Sequence, residues 1–304
     1  GELRTCESTR VAIHSLQVSF SEPVQDPVGN SDPVDVTNPS AYLLLEAGPD
    51  ADFSTNACGG VLGDDVAVSI LSVTYDAPTR TAEIDLGEPL DDGLYRLRVC
   101  AGAVQDLTGK PLDGNADTTG GDDFATFWRV DEANSFINGS FDCTLDPWTA
   151  VSMLPEEITF SNVDIDGSSY SGSAWARNLS GSEDFFLGQC VEPVGLLEMS
   201  IRLSMPAGGD LEVSWMCEGF ANPGCTGVSL GTVGGTVVQG DTASAWQTLG
   251  GAFTSPAGAV SALCSYHLFA MDGVSFDAFL DNASTPVLIF ADGFESGDTS
   301  SWSP

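Results

Sequence analysis

Positive charge is what this sequence lacks most. Its 304 residues include nine Lys and Arg against 44 Asp and Glu, which gives a formal net charge of −35 at pH 7. Lys110 is the single lysine, and no segment forms a basic stripe. Because nucleic acids and anionic membrane surfaces attract clustered Lys and Arg side chains, this composition argues against both as partners.

Long hydrophobic runs and helical patterns are missing as well. No stretch reaches the roughly 18 uncharged apolar residues of a membrane-spanning helix. The longest candidate, residues 259–271, is too short and contains His267. The 34 glycines and 16 prolines interrupt the chain too often for long helices. With 42% hydrophobic residues, the chain can still build packed cores, so it is not a disordered acidic tail.

Enzyme signatures are also absent. The sequence contains no Gly-x-Ser-x-Gly elbow, no His-Glu-x-x-His motif and no glycine-rich phosphate loop. Its two histidines, His14 and His267, each lie in an apolar run, where structural histidines are the more common case. Carboxylates are so numerous that no pair of them identifies a glycosidase. We therefore predict a non-catalytic protein.

What the chain does contain is a succession of short β-prone runs. Each is rich in Val, Ile, Tyr, Phe or Thr and is bounded by turn residues. The predicted strands are 11–20, 42–46, 66–75, 80–86, 93–101 and 124–130, then 173–179, 185–191, 197–205, 211–216, 245–250, 260–271 and 274–280. This spacing predicts an all-β protein with β-sandwich domains over residues 1–131 and 132–284, and a strand-like tail over 285–304.

The first block resembles a known family over about residues 10–130. The segments LQVSFSEPV, VTYDAPTRTAEIDLGEPLDDGLYRLRV and VQDLTGKPLDGNADTTGGDDF carry the resemblance, which is to bacterial Ig-like domains of surface-layer and secreted proteins. It implies a seven-stranded Ig-like sandwich that serves as a spacer or adhesive module.

The second block, about residues 134–283, resembles a jelly-roll module of the carbohydrate-binding type. INGSFDCTLDPW opens it, DIDGSSYSGSAWA lies in the middle, and VSFDAFLDNAS closes it. Such modules place a Glu where this chain has Asp142, and a second Asp where it has Asn282. The first and last strands of a jelly roll are neighbours. The resemblance therefore implies one structural calcium where the beginning and the end of this second block meet. Its implied ligands are Asp142, Asp164, Asp166, Asp281 and Asn282; ordinary surface turns are the alternative.

A denser acidic segment lies within the first block. Calcium takes about 6–8 oxygen ligands and tolerates irregular geometry, and crowding carboxylates without a cation is unfavourable. A solvated acidic turn is the alternative. The candidate ligands of this predicted Ca2+ site are Asp106, Asp113, Asn115, Asp117, Asp122 and Asp123.

Aromatic residues provide the remaining candidate site. Sugar-binding faces use exposed aromatic platforms with polar groups nearby, although tryptophans in sandwiches more often lie in the core. We predict Trp175 and Trp215 as the exposed, carbohydrate-binding pair.

Eight cysteines indicate an oxidising, extracellular compartment. Three lie in the first block and five in the second, so pairing cannot be complete within each block. The predicted pairs are Cys58–Cys100, Cys143–Cys190 and Cys217–Cys225. Cys6 and Cys264 remain, and they join the two blocks, join two subunits or stay free.

The tail contains DGFESGDTSSW, which echoes the opening NGSFDCTLDPW. Residues 287–290 are apolar and β-prone, which suits a strand added to an exposed sheet edge. Docked onto a neighbouring molecule, the tail would build a head-to-tail filament, with Asp292, Glu295 and Asp298 completing a calcium site. Docking onto its own chain, a sorting mark and a truncated domain are the alternatives.

Two functions compete at this point. The first is a calcium-binding structural or adhesive protein of the bacterial cell surface that self-associates into a homopolymer. The second is a secreted carbohydrate-binding protein whose partner is a cell-surface polysaccharide. The sequence begins at Gly1 without methionine, and we expect a processed extracellular product in either case.

Overall fold

The computed structural model describes residues 3–151, 158–178, 184–192, 196–240, 242–271 and 275–285. Within these ranges the protein is all β, as predicted, apart from a 3-10 turn at Pro39–Ala41. The chain divides into two compact units. Unit 1 comprises Gly1–Glu132 and Asp166–Tyr170, and unit 2 comprises Ala133–Ile165 and Ser171–Pro304. No helix in the described ranges has the length and hydropathy required to cross a membrane.

Unit 1 is a sandwich of two sheets with strand orders β1-β8-β7-β3-β4 and β2-β6-β5. β1 pairs with β8 in parallel, and the other named pairs are antiparallel. Its strands are β1 (Glu7–Thr9), β2 (Ser15–Ser19), β3 (Tyr42–Glu46), β4 (Val66–Ala67), β5 (Ser72–Asp76), β6 (Thr81–Asp85), β7 (Gly93–Val99) and β8 (Phe124–Val130).

The core of unit 1 follows from alternation along these strands, since successive side chains point to opposite faces of a sheet. On β6, Ala82 and Ile84 are buried while Glu83 between them is exposed. Leu44 and Trp128 of the larger sheet belong to the same buried cluster. The resemblance of this unit to Ig-like domains remains a prediction.

Unit 2 contains two five-stranded sheets. The Trp175 sheet has the order β10-β11-β18-β13-β16, and the His267 sheet has the order β15-β14-β17-β12-β9. All of their pairs are antiparallel. The strands are β9 (Thr149–Val151), β10 (Ile158–Ser161), β11 (Ser173–Asn178), β12 (Asp184–Val191), β13 (Leu196–Gly208), β14 (Leu211–Asn222), β15 (Thr226–Gln239), β16 (Gln247–Thr254), β17 (Ser261–Ala270) and β18 (Phe276–Ser284).

The two ends of unit 2 lie side by side, as the jelly-roll prediction required. Ala283 N donates a hydrogen bond to the carbonyl of Gly139 (2.8 Å), and Ser135 N donates to the carbonyl of Thr285 (2.8 Å). Asn134 closes the junction, because its Nδ2 donates to the Ala283 carbonyl (3.0 Å) and its Oδ1 accepts from Thr285 N (3.0 Å). Thr285, placed in the tail by the sequence, therefore belongs to the folded unit.

The largest difference from the predicted strands is β15, a 14-residue strand that the sequence analysis missed. Its four glycines interrupt the apolar alternation that marks a strand. β15 pairs with β14 along its length, and this pairing extends β14 to Asn222, beyond the predicted end at residue 216. The short strands β1, β9 and β10 were also missed, and the predicted strand 66–75 divides into β4 and β5.

Trp215 is buried, so the prediction that it is exposed was wrong. Only 9% of the residue is accessible, and it belongs to the core of unit 2. The indole packs against two glycines, one on the adjacent strand β15 and one on β16 of the other sheet. A Cβ atom built on Gly235 would lie 2.8 Å from Trp215 Cζ2, and one on Gly251 would lie 3.2 Å from Nε1. The missing side chains make the space that the indole fills.

The disulfides confirm one predicted pair. Cys58 and Cys100 are bonded, with Cα atoms 5.8 Å apart. All eight cysteines are bonded, including Cys6 and Cys143, so the alternative of a free thiol was wrong.

The other predicted pairs, Cys143–Cys190 and Cys217–Cys225, were wrong. Cys217 lies directly opposite Cys264 on the adjacent strands β14 and β17, and these two are bonded. Cys225 lies beyond the end of β14, near the turn into β15, and is bonded to Cys190. Pairing across the sheet, rather than closeness in sequence, decides the Cys217–Cys264 bond, whereas Cys190–Cys225 joins a strand to a turn.

The glycine contact at Trp215 gives a stability prediction. Gly235→Ala places a methyl group inside contact distance of the indole, and overpacking of this kind costs about 1–3 kcal/mol in the free energy of unfolding. Chemical denaturation measures the change. Gly102→Ala is the control, because no atom lies within 4 Å of its Cβ position. Equal stability of the two variants would contradict the packing account.

Candidate functional site

The outer face of the Trp175 sheet carries an aromatic pair. On β11, Ala174 and Ala176 are buried in the core, so Trp175 between them points outward. On β18, Ala278 and Leu280 are buried in the same way, so Phe279 also points outward. Both aromatic side chains are half-buried, which leaves part of each ring accessible.

Strand register places these rings side by side. Trp175 is paired with Phe279, and the ring centroids are 6.1 Å apart with an interplanar angle of 11°. The same row continues to Thr159 on β10 and to Ser204 on β13. The sheet therefore presents two parallel aromatic rings flanked by hydroxyl-bearing residues.

Trp246 directly precedes β16, the edge strand of the same sheet. β13 and β16 pair Leu203 with Gln247, the first residue of β16. Trp246 is partly exposed, whereas Ser204 is only 4% exposed despite its outward position. With neighbouring strands about 4.8 Å apart, the row from β11 to β16 spans roughly 14 Å.

Polar contacts hold the tryptophan in place. Trp175 Nε1 donates to Asp277 Oδ1 (3.2 Å), and Arg177 Nε lies 3.7 Å from the same oxygen. The guanidinium carbon of Arg177 lies 5.5 Å from the centre of the Trp175 ring. On the other side of the face, Arg202 Nη1 donates to Thr248 Oγ1. The sequence analysis identified Trp175 but not its partners, which only the strand register reveals.

This arrangement suits a ligand that has both an apolar face and polar edges. Aromatic rings offer a flat apolar surface, while the nearby Asp, Arg and Thr side chains offer hydrogen-bond acceptors and donors. A few polar groups beside an apolar surface are the usual composition of a binding site.

The outer face of the His267 sheet has a different character. His267 meets Phe186 edge-on, with ring centres 5.0 Å apart, and its Nε2 lies 3.2 Å from Ser265 Oγ. Ser265 is only 2% exposed, which leaves its hydroxyl inaccessible to a substrate. This face has aromatic side chains but lacks the tryptophan and arginine of the other face among the described residues.

In unit 1, part of the predicted calcium cluster is brought together. Carboxylate oxygens of Asp113, Asp117 and Asp122 lie within 4.8 Å of one another. The backbone explains this proximity, because Gly114 N donates to the carbonyl of Asp122 (2.9 Å). Asn115 joins the same turn, since its Oδ1 accepts from Asp117 N (3.0 Å).

Asp106 lies in a turn of its own. Its Oδ1 accepts from the backbone N–H groups of Lys110 (2.8 Å) and Thr108 (2.7 Å). These bonds favour the ionised carboxylate, and the bond from Lys110 contributes most to lowering the pKa of Asp106. Asp106 therefore shapes its turn and lies outside the cluster.

Asp123 also accepts hydrogen bonds from backbone N–H groups. Its Oδ1 accepts from Ala101 N (2.9 Å), its Oδ2 accepts from Cys58 N (3.1 Å), and Arg98 Nε lies 3.7 Å from Oδ2. The carboxylate, directly before β8, thus bonds to the backbone of Cys58 and of Ala101, the residue that follows Cys100.

The residues of the second predicted calcium set differ in burial and in their hydrogen-bond partners. Asp142 and Asp281 are buried, at 1% and 0% exposure, and Asp281 Oδ2 accepts from Ile165 N (3.0 Å). Asp164 Oδ2 accepts from Ser171 Oγ (2.7 Å), and Asn282 N donates to Asp281 Oδ1 (2.6 Å).

Asp166 is grouped with unit 1, whereas the other four residues of this set are grouped with unit 2. In the described ranges, the acidic group spaced for a metal ion is the one in unit 1. The remaining predicted ligands, Asp292, Glu295 and Asp298, lie outside the described residues with the rest of 286–304.

No protein-family model matches this sequence, and no curated protein matches it. Among solved structures, the chain is similar to the bacteriophage CBA120 tailspike protein 4 enzymatically active domain, with 14% identity and a TM-score of 0.40 over 52% of this chain and 22% of that one. It is similar to TmCBM61 in complex with β-1,4-galactotriose, with 12% identity and a TM-score of 0.36 over 50% and 97%. It is also similar to a family 16 carbohydrate-binding module, with 16% identity and a TM-score of 0.34 over 50% and 99%.

Asp123 supplies a prediction that separates a structural carboxylate from a metal ligand. Asp123→Ala leaves two backbone N–H groups without their acceptor, and each such loss costs about 1–3 kcal/mol. We expect the melting temperature to fall by the same amount with and without calcium. A loss of stability that appears only in the presence of calcium would instead identify Asp123 as a ligand.

Proposed function

We propose that this protein is a non-catalytic, extracellular carbohydrate-binding protein whose binding surface is the outer face of the Trp175 sheet. The observation that carries the proposal is the parallel Trp175–Phe279 pair, fixed by Asp277 and framed by Arg177. This was the second of the two functions considered from the sequence.

The chemistry of saccharides fits this face. A pyranose ring has an apolar face of C–H groups and a rim of hydroxyl groups, so it stacks on an aromatic ring while its hydroxyls bond to neighbouring side chains. The indole N–H of Trp175 is already satisfied by Asp277. A sugar can therefore cover the ring without leaving the indole N–H as an unpaired buried hydrogen-bond donor.

Pre-organisation favours this face over the outer face of the His267 sheet. The Trp175 side chain is held by one hydrogen bond, one ring contact and one guanidinium contact. A side chain already fixed loses little conformational entropy when a ligand binds. Tryptophan also offers a larger flat surface than Phe186 or His267.

An extracellular location is supported by the disulfides. All eight cysteines are bonded, and such bonds persist in oxidising compartments. Self-association gains no support, because residues 286–304, on which that prediction depended, lie outside the described residues.

Binding to a panel of bacterial and plant polysaccharides, followed by calorimetry with the best oligosaccharide, tests the proposal. Trp175→Ala should weaken binding at least tenfold, which corresponds to about 1.4 kcal/mol. Phe186→Ala is the matched control, because it removes a half-buried aromatic residue from the outer face of the other sheet.

Two results would contradict the proposal. Binding that is lost in Phe186→Ala and kept in Trp175→Ala would move the site to the His267 sheet. A correctly folded protein that binds no polysaccharide in the panel would end the carbohydrate-binding account altogether.

We also propose that calcium binds at Asp113, Asp117 and Asp122 and stabilises unit 1. Their clustered oxygens support the proposal, because calcium prefers oxygen ligands from flexible loops. The net charge of −35 supports it too, since a bound cation relieves repulsion between these carboxylates.

Thermal unfolding in calcium and in chelator tests this second proposal. An ion that binds only the native state stabilises it by about 4 kcal/mol at a thousandfold excess over its dissociation constant. We expect chelator to lower the melting temperature, and Asp117→Asn to reduce that response. Asp64→Asn, an exposed carboxylate elsewhere in unit 1, should leave it unchanged. An unaltered melting curve together with no metal in elemental analysis would refute the site.

A further inference from the structure

We infer that the saccharide bound at the Trp175 face carries an anionic group, either a carboxylate or a sulfate ester. The inference rests on the proposed function above and specifies its class of ligand. It depends on where unit 2 places its few positive charges.

Residues 133–304 contain two Lys or Arg side chains, Arg177 and Arg202. Both lie on the outer face of the Trp175 sheet. Arg177 follows Trp175 by two residues on β11, so the two share a face. Arg202 lies between Ile201 and Leu203 on β13, and because both of those residues are buried in the core, Arg202 points outward.

The register of β18 places the two arginines on either side of the aromatic row. Arg177 is paired with Asp277, Trp175 with Phe279, and Arg202 with Asp281. Positions 277, 279 and 281 are successive outward positions of one strand. The three rows are therefore about 7 Å apart. A chain of sugars lying over the rings would have one guanidinium on each side.

Arg177 retains the donors that an anion needs. Its Nε faces Asp277, and Nη1 and Nη2 form no hydrogen bond with another described residue. About half of the side chain is exposed (48%). Guanidinium groups present paired N–H donors that match the geometry of carboxylate oxygens and of other oxyanions.

The carboxylates on the same face lie close to the two arginines, and Asp277 offsets part of the charge of Arg177. Asp277 is already engaged by Trp175 and Arg177 through one oxygen. Asp281 is fully buried, and its oxygens accept from the backbone of Ile165 and Asn282. Glu198 is exposed but lies four residues from Arg202 along β13, roughly 13 Å away. The rings are therefore bordered by the two positive side chains that residues 133–304 contain.

Calorimetry with three matched probes tests the inference on the full chain. The probes are trigalacturonate, its fully methyl-esterified form, and a sulfated galactotriose. We expect at least one charged probe to bind tenfold or more tightly than the neutral ester, and added salt to weaken the binding of that charged probe selectively.

Arginine variants test whether Arg177 and Arg202 cause the preference for a charged probe. Arg177→Gln and Arg202→Gln should each remove most of the preference for charge, measured as the ratio of the affinities for the charged probe and for the neutral ester. Arg4→Gln, which removes an exposed arginine from unit 1, should leave the preference intact. Melting curves confirm that each variant is folded.

The outcomes separate the inference from the proposed function. Equal affinity for the charged and neutral probes, with binding lost in Trp175→Ala, would overturn the inference and keep carbohydrate binding. A preference for charge that survives both arginine substitutions would also overturn it. If none of the three probes binds, the inference fails, and the polysaccharide panel decides the proposed function separately. The difference between carboxylate and sulfate affinities identifies the anionic group.

Discussion

The position of β18 between β11 and β13 is the constraint on which the candidate site depends. The last described strand of unit 2, β18, pairs with both neighbours, and its register puts Phe279 beside Trp175 on one side and Ser204 on the other. The inward residues Ala278 and Leu280 bury the same strand in the core. A shift of one residue in this strand pairing would exchange the inward and outward side chains of β18 and bury the aromatic row. Core packing and the binding surface are therefore two consequences of one register.

The opposite sheet contributes rigidity. β14 pairs with β17, and the Cys217–Cys264 bond joins directly opposed residues of these strands. The Trp215 indole fills the space left by glycines on both sheets. The two sheets thus meet around one large side chain. Such packing holds the Trp175 sheet firmly enough to present side chains at fixed spacing.

Local sequence patterns predicted much of the fold and only part of the site. The β3 and β8 strands were predicted with their observed bounds, because each is a continuous run of β-prone residues between turn residues. β15 was missed because its glycines hide the alternation. The disulfide partners and the burial of Trp215 depend on which strands become neighbours, and no local pattern in one sequence reports that.

The candidate site shows the same limit. Trp175 was identifiable from its residue type and setting, but the contributions of Phe279, Trp246 and the two arginines depend on strand register. In the same way, the composition of the acidic segment 106–123 indicated six candidate calcium ligands. The structure separates Asp106 and Asp123 from the three carboxylates whose oxygens lie within 4.8 Å of one another, Asp113, Asp117 and Asp122.

The central claim is that a saccharide covers the Trp175 face, and the indole N–H signals of the six tryptophans test it most directly. Trp128, Trp148 and Trp215 are buried and serve as internal references. In a titration of 15N-labelled protein with a bound oligosaccharide, the account predicts that the signals of Trp175 and Trp246 shift while those of the three buried indoles stay in place. Binding that leaves the Trp175 signal unchanged would contradict it.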